Sequence, residues 1–201
     1  MAELRILLNN GHGSNTAGKS WSFEGKTFYE WESNRDTVKR VAKKLQALNI
    51  PYEIITPETI DIPLSTRAQR VNSLCTKYGK NNCLLLSVHS NASQYHNASG
   101  ISVWTSKGQT KSDEYAEIFY KTAKKYNPNA RMLADLKDGD HDFEESFYMV
   151  RKTLCPAVLV ESYFYDNKAD FDYLMSEAGR EAIANWYVDS IKQCIELYKR
   201  G

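Results

Sequence analysis

The chain has almost no net charge: 26 lysines and arginines stand against 25 acids, a formal +1 at pH 7. That balance excludes a strongly basic nucleic-acid surface and long-range steering onto an anionic polymer or membrane. No run approaches the roughly 18–20 apolar residues of a membrane span. The N-terminus lacks the basic segment, apolar core and cleavage site of a secretory signal. Cysteine is sparse, and Cys75, Cys83, Cys155 and Cys194 form no C-x-x-C pair. They read as reduced thiols of a chain made in a cytoplasm. Repeats, low-complexity tracts and Pro/Gly/Ser-rich linkers are also missing. What remains is 201 residues, 42% hydrophobic with 13 tyrosines, a length that suits one domain with a substantial core.

Apolar runs bounded by Gly, Pro or Asn predict strands at residues 4–9, 52–56, 83–89, 101–105 and 157–162, with a weaker one at 147–151. Helical spacing lies between them. Over 28–48, Asn34, Val38, Val41 and Leu45 share one face; over 66–78, Ala68, Val71, Cys75 and Tyr78 do the same. Tyr115, Phe119, Thr122 and Tyr126 mark a third face, and Ile183, Tyr187, Ile191, Cys194 and Tyr198 a fourth. Strand and helix alternate through most of the chain, which predicts a single α/β domain with a mostly parallel sheet. Two segments break the alternation. Residues 11–27 are a Gly/Ser/Asn/Lys-rich loop, and 127–146 run through Asn-Pro-Asn into an acidic patch. Asp138-Gly-Asp140-His-Asp142 partly matches a calcium loop, but the twelfth position is Met149 rather than glutamate. A solvated loop bordering a cleft is the preferred reading, with His141 exposed in it.

Three of the apolar runs end on polar groups: Asn-Asn-Gly-His12-Gly, Ser-Val-His89-Ser-Asn91 and Ala-Val-Leu-Val-Glu161. Ligands collect at the carboxyl ends of strands in open α/β sheets, and two histidines with a carboxylate can hold a catalytic metal. Glu30 precedes Asn34 by four residues and Val38 by eight, on the inward face of the first long helix; Glu32 should point to solvent. A buried carboxylate there requires a cation, so Glu30 is the better third ligand. Taken singly, each histidine reads as a hydrogen-bonded structural residue and Glu161 as the cap of a turn. Their coincidence at one edge weakens those readings together.

The chain resembles the zinc-dependent N-acetylmuramoyl-L-alanine amidases of the amidase-3 type, which cut peptidoglycan. The matching segments, in the family's order, are Asn-Gly-His12-Gly, Glu30-x-x-x-Asn34, Leu64-x-x-Arg67-x-x-x-Val71-Asn72, and Ser87-Val-His89-Ser-Asn91-Ala. Gly100-Ile-Ser-Val, Phe147-Tyr-Met-Val-Arg151, and Pro156-Ala-Val-Leu-Val-Glu161 with Asp166-Asn167 and Leu174 follow. The resemblance implies an α/β domain of about six strands flanked by helices. It also implies that His12, Glu30 and His89 bind Zn2+ and that Glu161 is catalytic. The family's first motif usually reads Asp-Pro-Gly-His-Gly; here Asn9 and Asn10 replace its acid and proline. Asn9 can still accept a hydrogen bond, so metal affinity is expected to be tuned rather than abolished.

The implied reaction is hydrolysis of the amide between N-acetylmuramic acid and L-alanine of the stem peptide, by an activated water with Glu161 as base. Asn91, Arg67 and Arg151 are candidate substrate contacts. The expected partner is peptidoglycan or its muropeptides, with no nucleic acid and no membrane. Residues 1–201 are expected to be a catalytic domain without a separate wall-binding domain, acting as a monomer. The expected route to the wall is release by lysis or by a permeabilising partner, as for a phage or prophage endolysin. Two alternatives remain: a zinc exopeptidase on a related scaffold, and a non-catalytic wall-binding or phage structural module.

Overall fold

Three apolar runs, β1 (Arg5–Asn10), β5 (Cys83–Asn91) and β8 (Ala157–Phe164), form the parallel centre of a six-stranded sheet. The computed structural model describes residues 3–200. The sheet order is β4-β1-β5-β8-β6-β7, with β4 (Tyr52–Ile54) on one edge and β6 (Ile101–Thr105) and β7 (Phe143–Glu144) on the other. β6 runs antiparallel to β8, and every other pairing in this sheet is parallel.

Alternation along each strand sends side chains to two separate cores. Ile6, Leu8, Leu84, Leu86, Val88, Val158 and Val160 face α1 (Glu30–Ala47), α3 (Lys111–Tyr126) and α6 (Glu177–Arg200). Leu7, Leu85, Ala157 and Leu159 face α2 (Leu64–Tyr78) and α4 (Tyr148–Lys152). With helices on both faces the central strands read as continuous apolar runs. All four cysteines are free and buried. No helix among the described residues is long and apolar enough to cross a membrane.

Two expectations need correction. Residues 147–151 do not form a strand: α4 occupies the segment, burying Met149 and Val150 against α2. So short a run does not distinguish a helical period from a strand period. The sixth strand is β7, two residues inside the acidic segment, with Phe143 opposite Trp104 and Glu144 opposite Thr105. The polar 11–27 segment contains a hairpin, β2 (Ser20–Phe23) with β3 (Lys26–Tyr29). Its Glu24-Gly25 turn has φ of 51° and 77°, the two positive values of a type I′ connection. A short α5 (Lys168–Met175) follows β8, started by Asn167 Oδ1, which accepts from Ala169 and Asp170 N–H.

Candidate metal and active site

On the α2 face, the apolar side chains Leu7, Leu85 and Leu159 give way, two residues on, to Asn9, Ser87 and Glu161, and His89 follows Ser87. This polar half of the face lies at the carboxyl ends of the strands, where α/β folds bind ligands. His89 and Glu161 are register partners on neighbouring strands. Just beyond them β8 carries an extra residue, with Tyr163 at φ 67°, a bulge of the kind that re-aims side chains beside sites.

Three groups converge above that edge. β3 leads straight into α1, whose first residue Glu30 is 1% exposed. His12 Nε2 lies 3.3 Å and His89 Nδ1 3.2 Å from Glu30 Oε1. One ligand atom from each of the three residues lies within 4.8 Å of the others. Ligands about 2.0–2.1 Å from one tetrahedral ion stand roughly 3.3 Å apart, so the spacing fits a single divalent metal. Glu30 Oε2 is buried without a hydrogen-bond partner, and Lys19 Nζ stands 3.8 Å from it. Glu32 is exposed. Burial would raise the Glu30 carboxyl, but hydrogen bonds and charge from His12 and His89 hold it below the usual carboxylate range. Burial lowers His89, which favours the neutral imidazole that a metal needs.

Supporting contacts fix these rings. Asn9 Nδ2 donates to Ser87 Oγ at 2.8 Å, and Ser87 Oγ meets His89 Nε2 at 3.2 Å. Asn9 thus reaches the imidazole through Ser87. Gly11 passes so close that a Cβ there would lie 2.3 Å from His89 Cε1 and 2.7 Å from Asn34 Nδ2. A Gly11→Ala protein is therefore expected to stay folded and lose metal affinity by at least about 10–100-fold, the range for disturbed ligand support. Metal content after dialysis measures it, and wild-type retention would refute the packing argument.

Glu161 is raised well above the usual carboxylate range, first by burial and then by the Glu30 charge. Its Oε2 is buried and without a partner. Asn91 Oδ1 accepts from Ala92 N–H at 2.8 Å, which leaves its amide NH2 without a partner among the described residues. Arg67 does not fit its expected role as a substrate contact. Its side chain is 1% exposed, and its guanidinium donates to Ile62, Asn10 and His12 carbonyls, Asn9 Oδ1 and Asp61. It positions the His12 loop instead. Arg151 is exposed on α4, which leads into the opposite end of β8, so it is not brought to the cluster. His141 is not freely solvated: its Nδ1 meets Glu117 at 2.8 Å and its ring stacks on Tyr120.

Sequence reading missed a stacked pair between the hairpin and the loop after β5. Trp21 of the hairpin stacks on His96, ring centroids 4.2 Å apart, and His96 Nδ1 meets buried Asp166 at 2.8 Å. The alternation in Ser20-Trp-Ser-Phe and Lys26-Thr-Phe-Tyr around Glu-Gly was the available signal. Lys19 had none.

Fold and cluster together define an α/β protein with a His–Glu–His group able to hold a metal ion at the carboxyl edge of its sheet. Residues 6–193 match the family model described as N-acetylmuramoyl-L-alanine amidase, and the chain belongs to that family. It is 26% identical over 209 residues to an endolysin of Bacillus phage SPP1, covering 98% of this chain and 68% of that one. It is 23% identical over 190 residues to a probable cell wall amidase, LytH, of Staphylococcus epidermidis, covering 94% of this chain but 57% of that protein's length. The crystal structure of an N-acetylmuramoyl-L-alanine amidase from Clostridium difficile 630 superposes with a TM-score of 0.81 at 23% identity, covering 98% of both chains. That likeness bears on the fold.

Proposed function

We propose that this domain hydrolyses the amide joining N-acetylmuramic acid to L-alanine of the peptidoglycan stem peptide, with zinc held by His12, Glu30 and His89. The observation that carries the reading is the 3.2–3.3 Å convergence of two imidazoles on one buried carboxylate oxygen, beside a second carboxylate, Glu161. Neutral nitrogen donors with one carboxylate suit zinc, and a catalytic site keeps three protein ligands and an open position. The chemistry supplied when zinc is bound is acidification of a water towards a pKa of about 7 and polarisation of the amide carbonyl.

The protein's own groups do the rest. Glu161, unpartnered at Oε2, accepts the water proton and returns it to the departing amine, because an amide anion is a very poor leaving group. Asn91, whose amide NH2 is free while its Oδ1 accepts from Ala92 N–H, donates to substrate in this reading. Arg67 holds the His12 carbonyl and keeps the loop in register. Peptidoglycan or its muropeptides are the substrate class, and the chain acts as a monomer on the wall once it reaches it.

The products test this. Mass spectrometry of digested peptidoglycan is expected to show free L-alanine amino groups on intact stem peptides, absent with chelator and restored by zinc. Release of single amino acids would instead identify an exopeptidase, and an inert, zinc-free protein a wall-binding module.

A further inference from the structure

The acidic segment is not a solvated loop throughout. Asp142 is 1% exposed, and its Oδ1 is buried with no hydrogen-bond partner; Asp140 Oδ1 is orphaned in the same way. Thr105, at the end of β6 and fully buried, has one hydroxyl proton for several acceptors. Asp142 Oδ2 lies 2.6 Å from its Oγ1 and Asp113 Oδ1 lies 3.0 Å from it. Gln109 Nε2 bridges Asp138 and Asp140 at 3.4 Å each. Among the described residues no Lys, Arg or His forms an ion pair with Asp113, Asp138, Asp140, Asp142 or Glu144, although such pairs are numerous elsewhere on the surface. Asp113 is balanced by the Thr110 and α3 N-terminal N–H groups in a capping box. Asp140 and Asp142 have no such counterpart. Asp140 stands within hydrogen-bonding reach of Asp142, and two such carboxylates, one of them buried, are costly unless something positive lies between them.

We propose that Asp140 and Asp142 bind a hard divalent cation, with calcium the best match, that fastens the acidic segment and β7 to the end of β6. Its remaining ligands are water and nearby oxygens, since calcium accepts six to eight oxygen ligands in flexible geometry. Carboxylate oxygen without imidazole or thiolate disfavours zinc. The site is separate from the His12–Glu30–His89 cluster. Thr105 continues β6 past Trp104, which is paired with Leu159, two residues before Glu161 towards the opposite end of β8. With two direct carboxylates, the affinity belongs to the weak range of about 10⁻⁴–10⁻³ M typical of extracellular modules.

The test uses the full chain loaded with zinc in otherwise metal-free buffer, titrated with calcium chloride while the thermal midpoint is followed. A rise of about 3–6 °C is expected at ten times the dissociation constant, with no rise in potassium chloride of equal ionic strength. Terbium chloride should give luminescence sensitised by Trp104, which stacks on Phe143 next to Asp142, and calcium should quench it. Asp142→Asn and the less buried Asp140→Asn should both fold, keep their zinc and lose the calcium response. The rival occupant is a proton: burial and the charges of Asp140 and Asp113 push Asp142 up to about 7. A midpoint that falls as pH rises through 7 and ignores calcium would overturn the proposal. So would variants that respond to calcium as the wild type does.

Discussion

A Glu161→Gln protein is expected to keep its fold and its full complement of zinc while losing about 10²–10⁴-fold in the rate of wall hydrolysis, the range for a positioned general base. The amide is nearly isosteric, and Glu161 belongs to none of the three convergent ligand positions, so metal binding should survive. The loss should appear in kcat, because the proton moves only in the transition state. pH gives a second check. Burial and the Glu30 charge raise the Glu161 carboxyl, and only its ionised form accepts a proton. Activity should therefore decline as pH falls through that raised value, at higher pH than for an ordinary carboxylate. A variant that digests walls at the wild-type rate with the same acid limb would remove Glu161 from the mechanism.

The second large effect concerns stability. Arg67→Met is expected to destabilise the protein by on the order of 3–5 kcal/mol, because several hydrogen bonds of a buried charged group, each worth about 1.5–3 kcal/mol, are lost together. Methionine fills much of the volume but leaves Asn9 Oδ1 without a donor and removes one hydrogen bond each from the Asn10 carbonyl, the His12 carbonyl, which keeps Arg35 Nη1, and Asp61. A buried acceptor stranded in this way costs about 1–3 kcal/mol. Because one of those carbonyls belongs to His12, metal retention should weaken alongside the denaturant midpoint. If Arg67 instead served the substrate, the variant would show wild-type stability and a raised KM.

The central strands and four long helices were legible because their signals are periodic over many residues. β1, β5 and β8 are buried on both faces, and α1, α2, α3 and α6 show an apolar stripe. Glu30 was separable from Glu32 on helical phase alone. What stayed hidden depends on tertiary partners. β7 is two residues long and exists because Trp104 and Thr105 offer an edge. α4 and a strand are indistinguishable in a five-residue run. An arginine's charge suggested an anionic substrate, but the backbone carbonyls that consume its donors cannot be counted from sequence. Asp142 looked solvated among five neighbouring acids, but the fold buries it beside Thr105.

The β2–β3 ribbon shares no ladder with the main sheet, and its tip at Glu24-Gly25 lies several residues before Glu30. A longer or shorter tip would change the surface around the stacked Trp21 and His96 and leave the spacing of the His12, Glu30 and His89 atoms untouched. Tolerance of different chemical decorations on the polymer could thus be altered by loop exchange, without rebuilding the machinery that breaks the bond.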